Sequence, residues 1–253
     1  LVKLFDYPNY HDLFPSADIA GGICYFLWSG NHDGKCAVYN VKGHKLSSDK
    51  RRLNEYDIFI RDNKAVEIVD KVMAHVDAQG STLRGVISSR KPFGLPTTYA
   101  PRPSGVPCWF VQKIGRQYAN AADIVDPEQN LGKWKLLIPP APIAGQTDFT
   151  KPVGLYYESN VRIAAPSECC TEAWLVAFAS DSREEVESFK SYLFTKTVRF
   201  LVLQGIISQH VTKKSFLFVP DLGRYDRNFT DEYLCELWNI DDEEWKWIDS
   251  KVK

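Results

Sequence analysis

The chain has 253 residues, 44% apolar and 25% charged, with a formal net charge of −1. These values exclude a disordered chain and allow one large domain or two ordinary ones around a sizeable core. They also exclude a helical membrane protein, because no apolar run approaches the roughly 18 residues that a spanning helix needs.

In chain order, residues 1–6 read as a short buried strand with Val2, Leu4 and Phe5 as its apolar members. After a loop with two prolines, Gly21 and Gly22 call for positive φ or a backbone passage that a Cβ would obstruct. The apolar run 23–28 turns through "SGNHDGK" and returns over 36–41, which predicts a hairpin of two half-buried strands with "HDG" at its turn. The polar stretch "GHKLSSDKRRLN", 43–54, is a candidate linker, and "EYDIFI", 55–60, predicts a short strand. Ala65, Val66, Ile68, Val69, Val72, Met73 and Val76 fall at helical spacing.

Over 82–142, short β-rich runs ("LRGVIS", "VPCWFVQKI", "WKLLIP") alternate with Pro and Gly, and similar runs follow at 154–158, 161–165 and 173–179. Such irregular spacing predicts a mixed, β-rich domain without an internal repeat. Ser182 and Glu185 have capping-box spacing and open a helix along which Val186, Phe189, Leu193, Phe200 and Leu203 recur. "SFLFV", 215–219, predicts another strand. Thr230 opens a short helix, and Asp241 to Glu244 open a last one with acids at its positive end. The fold class expected from this order is α+β.

Charge is uneven. Residues 84–116 hold six basic side chains (Arg84, Arg90, Lys91, Arg102, Lys113, Arg116) and no acid. Residues 188–220 hold five (Lys190, Lys196, Arg199, Lys213, Lys214), again with no acid. Two such tracts in a neutral chain point to one anion-facing surface. The six cysteines, at 24, 36, 108, 169, 170 and 235, contain no C-x-x-C and read as free thiols of a cytoplasmic protein. Nothing at the N-terminus has the form of a signal peptide.

Nucleotide-binding glycine loops and G-x-S-x-G are absent, and the five histidines are isolated. Pro220-Asp221 with Glu244-Trp-Lys246 has the outline of a PD…ExK nuclease, whose chemistry needs the Glu and Lys on a strand beside the Asp to hold Mg²⁺. The best binding candidate is "ISSRKPFGLPTTYAPRPSG", 87–105, where Arg90 and Lys91 can meet phosphate and Phe93 can stack or wedge. A plainer alternative is a solvated proline-rich loop with Phe93 tucked into the core. "SQHVTKKSF", 208–216, is the second candidate.

"FPSADIAGGICYFLW", "SSRKPFGL" and "SYLFTKTVRFLVL…SQHVTKKSFLFVPD…TDEYLCELWNIDDEEWKWIDS" together resemble the later part of the type II restriction–modification adenine DNA methyltransferases, including those fused to endonucleases. The resemblance implies a Rossmann-like sheet that binds S-adenosylmethionine and ends in an antiparallel hairpin, followed by a target-recognition domain that grips double-stranded DNA while an adenine is flipped out for methylation. The family's cofactor glycine motif and its Asn-Pro-Pro-Tyr motif are both missing from these 253 residues, and "IPPAP", 138–142, lacks the Asn and the aromatic. The expectation is therefore a C-terminal fragment from a prokaryotic cytoplasm. Residues 1–45 would be terminal strands of the catalytic domain and 46–253 the target-recognition domain with its helical C-terminal segment. No catalytic, cofactor or metal residue is expected. Arg90, Lys91, Gln209, Lys213 and Lys214 are chosen for DNA contact on their chemistry, with Phe93 beside them. The expected partners are DNA and an absent N-terminal catalytic domain, whose loss exposes a sheet edge open to dimerisation. The alternatives are a Mg²⁺ nuclease using Asp221, Glu244 and Lys246, and a purely structural interaction domain.

Overall fold

The structure, a computed structural model, describes the chain apart from residues 18, 20, 144–149 and 209 and the side chains of 77–79. Among the described residues, three small sheets and five α-helices form an α+β fold. No helix there is long and apolar enough to cross a membrane.

The first sheet has the order β2-β1-β3-β4. Strand β1 (Lys3–Tyr7) runs antiparallel to β2 (Ile23–Leu27) and parallel to β3 (Cys36–Lys42), and β4 (Lys45–Arg51) closes the far edge against β3. The expected β2–β3 hairpin is therefore not formed: β1 lies between the two strands, and the connection over 28–35 crosses it. Aromatic stacking across the strands accompanies this register. The Phe5 ring stacks between Tyr25 and Tyr39, with centroids 4.7 and 4.4 Å away. The expected linker is largely strand as well, because β4 pairs with β3 along its whole length and carries the sheet on to Arg51. Segment 55–60 forms no strand. It is tied down where Arg51 Nη2 donates to the Ile60 carbonyl at 2.6 Å.

Helix α1 (Asn63–Gln79) follows the predicted spacing and starts at Asp62, whose carboxylate accepts the Lys64 N–H at 3.1 Å. Its apolar face, including Ala65, Ile68, Val69 and Val72, joins the main core. That core covers one face of a second sheet, β10-β7-β8, built from β7 (Trp134–Ile138), β8 (Arg162–Ala164) and β10 (Leu175–Ser180). A third sheet, β6-β5-β9, comprises β5 (Val106–Trp109), β6 (Arg116–Ala119) and β9 (Cys169–Cys170).

Strand β7 is buried on both faces, as the apolar run Leu136 to Ile138 allows. Leu136 and Ile138 pack into the main core, whereas Leu137 packs with Phe93, Cys108, Cys169 and Trp174 in a second one. Lys135, on the same strand, is fully buried. Its ammonium donates to the carbonyls of Leu131 (3.2 Å), Ala165 (3.1 Å) and Lys133, which replaces its water shell. Burial still draws its pKa down to about 8.

The long helix predicted from Ser182 is two helices, α2 (Arg183–Phe194) and α3 (Lys196–Gln204). Thr195 breaks it with ψ of 145°. Its hydroxyl donates to Tyr192 O at 2.8 Å and accepts from Val198 N at 3.2 Å. Asp231, at the start of α4 (Asp231–Leu237), accepts the backbone N–H groups of Lys196 (3.0 Å) and Thr197 (2.8 Å). The capping box at Ser182 is half formed: its hydroxyl accepts from Glu185 N at 3.2 Å, but the Glu185 carboxylate takes the Ser180 hydroxyl instead. A complete box opens α5 (Asp242–Asp249), between Asp241 and Glu244. In place of the predicted strands at 83–88 and 215–219 there are single 3-10 turns, Leu83–Gly85 and Lys213–Phe216.

Candidate functional site

The two segments chosen for binding lie together. Ser88 is buried and locks its segment to β10, giving and receiving a 2.9 Å hydrogen bond with the Val176 backbone. The next residue, Ser89, meets the Lys213 ammonium at 3.5 Å. Lys213 and Lys214 are exposed on the 3-10 turn that Thr212 caps, and neither has an ion pair among the described residues. Arg90 and Lys91 are exposed too, but both face Glu172: Arg90 is bonded to it directly and Lys91 lies 3.9 Å away. Lys91 adopts a left-handed φ of 59°, and Gly94 N closes the turn onto its carbonyl at 3.0 Å. That turn carries Phe93 inward. Its ring is fully buried in the second core, so the expected stacking or wedging role is corrected to a packing role. Gln209 lies outside the described residues.

The tract 84–116 is free of acids in sequence but not in space. Glu168 pairs with Arg116 at 2.7 Å and also accepts the Trp109 indole N–H at 2.9 Å. Asp57 lies 3.8 Å from Arg84, and Glu128 accepts the Ser89 N–H at 3.2 Å. Within the two basic tracts, the cations without an ion pair among the described residues are Arg102, Lys113, Arg199, Lys213 and Lys214; Arg199 is half-buried and donates to the Thr195 and Tyr156 carbonyls, and Arg102 lies over the Tyr99 ring at 5.5 Å. The positive surface is smaller than the composition of the tract predicts.

The nuclease arrangement does not form. Glu244 and Lys246 lie on α5, where residues two apart do not share a face. Glu244 is engaged by Lys71 at 2.7 Å and by its capping box, while Asp221 caps the Gly223 N–H and accepts the Tyr225 hydroxyl, both at 2.9 Å. Among the described residues no group of three or more His, Cys, Asp or Glu side chains is gathered to hold a metal.

A second concave feature lies between the first sheet, α3 and α5, with a volume of about 480 Å³. Gly22 borders it with φ of 81°. A Cβ there would meet Tyr7 O at 2.4 Å and Arg61 Nη2 at 2.7 Å, as the paired glycines predict. Arg61 grips the buried Asp6 carboxylate through Nε and Nη2, at 3.1 and 2.8 Å. Burial raises the Asp6 pKa despite that pairing. None of Asp6, Arg61, Asp62, Trp247 or Lys251 was selected from sequence. They converge from both ends of the chain, and no local pattern joins them.

Over 46 residues, 17% of its length, the chain is 39% identical to an uncharacterized adenine-specific methylase of Mycoplasma pneumoniae. The stretch covers 11% of that relative. This likeness relates part of the chain to methylases. No family model and no solved structure matches the chain.

Proposed function

We propose that this chain supplies DNA target recognition to an S-adenosylmethionine-dependent adenine methyltransferase of a restriction–modification system and does not transfer the methyl group itself. The observation that carries the reading is the meeting of the two basic segments at Ser89 and Lys213, with Lys213 and Lys214 exposed and free of ion pairs among the described residues. Cations of that kind attract phosphate through counterion release, whereas Arg90 and Lys91 must first exchange Glu172 for it. The short likeness to a methylase supports the enzyme class, and the absence of the Asn-Pro-Pro-Tyr motif supports a role without chemistry.

The first sheet then belongs with a catalytic domain. Its β4 edge carries Lys45, Asp49 and Lys50, charges that resist further pairing. Its β2 edge exposes Tyr25 (48%), Phe26 (60%), Leu27 (54%) and, just beyond, Trp28 (68%). We read β2 as the surface that the catalytic domain covers, making the sheet a remnant of the Rossmann-like one.

Anisotropy titration of the chain against duplex carrying the cognate site tests the reading. Affinity should fall steeply between about 50 and about 200 mM salt, and a Lys213→Glu, Lys214→Glu double variant should flatten the logarithmic slope by about two. Salt-insensitive binding, or an unchanged slope in the variant, would overturn it.

A further inference from the structure

The cleft beside the first sheet includes none of Arg90, Lys91, Lys213 and Lys214 and meets the segments of the DNA surface only at Ser208. Its volume, about 480 Å³, is in the range that holds a small molecule. One side is apolar, lined by Leu4, Phe59, Phe200 and Leu203. The other carries an excess of positive charge. Lys42 and Lys251 share a single oxygen of Asp62, at 3.1 and 3.3 Å. With Lys64, they surround the Trp247 ring, their ammonium groups 5.1, 3.9 and 4.8 Å from its centroid. Lys42 and Lys251 thus share one carboxylate, whose other oxygen is already committed to capping α1, while Lys64 lies over the ring without lining the cavity. Trp247 lines the cavity, and its buried indole N–H has no acceptor among the described residues. Asp6 and Arg61, also lining the cavity, neutralise each other.

We propose that this cleft binds a small phosphate monoester with a planar or apolar body, its phosphate taken by Lys42 and Lys251. Lys42 and Lys251 against Asp62 leave a surplus of one positive charge in the lining, which a phosphate relieves and a neutral ligand leaves unrelieved. The apolar side takes the body of the ligand. Lys251 gives the site a pH signature. Burial, opposed by Asp62 and reinforced by Lys42, lowers its pKa to about 8. It is faced by Lys42 from β3, by Asp62 and Lys64 from α1 and by Trp247 from α5, with the Asp6–Arg61 pair elsewhere on the cavity wall. Only its ammonium form attracts phosphate, so affinity falls as pH rises through about 8. It also falls below roughly pH 6, where the ligand becomes a monoanion.

The test is calorimetric titration of the full chain with 1-naphthyl phosphate, with 1-naphthol and inorganic phosphate as partial ligands. Saturable one-to-one binding of naphthyl phosphate is expected, with each partial ligand weaker by about tenfold or more. Lys42→Met and Lys251→Met should each weaken it by about tenfold, and Lys251→Arg, which keeps the charge should the methionine variant fold poorly, should retain it. Duplex affinity should be unchanged in Lys251→Met, so this proposal and the DNA reading fail separately. Naphthol binding as tightly as its phosphate, no heat from naphthyl phosphate, undiminished affinity in a folded Lys251→Met, or a loss of duplex affinity in that variant would each overturn it.

Discussion

Strand β7, Trp134–Ile138, lies between two cores although it carries a lysine, whereas β2, Ile23–Leu27, has no charged residue and yet its side chains from Cys24 to Leu27 are exposed. The difference lies in what surrounds each strand. β7 has β10 and β8 on its edges, α2 against one face and the second core against the other. β2 has β1 on one edge and no strand on the other among the described residues. The contrast extends to polarity. A lysine is buried in β7 because three carbonyls receive its ammonium, while Phe26 is exposed in β2 because no element reaches its ring. Apolar content marks a strand as fit to be covered, and neighbouring elements decide whether it is.

Three substitutions sharpen this contrast. The largest effect is expected at Leu137→Ala, which opens a cavity in the second core and should cost about 3 kcal/mol by urea unfolding. A loss below about 1 kcal/mol would mean that β7 is not closely packed on that face. Next comes Gly22→Ala, where positive φ and the Tyr7 carbonyl oppose a Cβ, for about 2 kcal/mol. Faster amide exchange should then appear across β2 and β1, and unchanged protection there would separate the glycine from the sheet. The smallest is Phe26→Ser, expected to stay within about 0.5 kcal/mol of the parent because the ring touches little. Light scattering at high concentration should show the parent associating through β2 and the variant less so. A parent that stays monomeric would break the reading of β2 as a surface awaiting a partner.

Local chemistry made a good part of the fold legible. α1 was readable because its valines, with Ala65, Ile68 and Met73, recur at helical spacing, and α4 and α5 because Thr230 and Asp241 are capping residues. β5, β7, β8 and β10 all coincide with apolar runs bounded by turn residues. Three features were hidden for physical reasons. The insertion of β1 between β2 and β3 depends on pairing, which periodicity does not encode. The break at Thr195 depends on Asp231, a residue 35 positions after Lys196 whose carboxylate caps α3. The inward turn of Phe93 depends on Lys91 adopting positive φ, which a lysine does not advertise. At the candidate site, the contact between Ser89 and Lys213 spans 124 positions, so sequence could nominate both segments without joining them.

The amino-acid order shows which segments are apolar, where most helices start, that Gly21 and Gly22 call for positive φ or a close backbone passage, and that two acid-free basic stretches exist. These are properties of single residues and short spacings. Tertiary structure alone decided that Glu172 and Glu168 would neutralise much of the first stretch, leaving Lys213 and Lys214 as the cations free of ion pairs beside it. It alone gathered Lys42, Asp62, Trp247 and Lys251 into one cleft. Charge acts over a few ångströms of space whatever the separation along the chain, and only the folded backbone sets those distances.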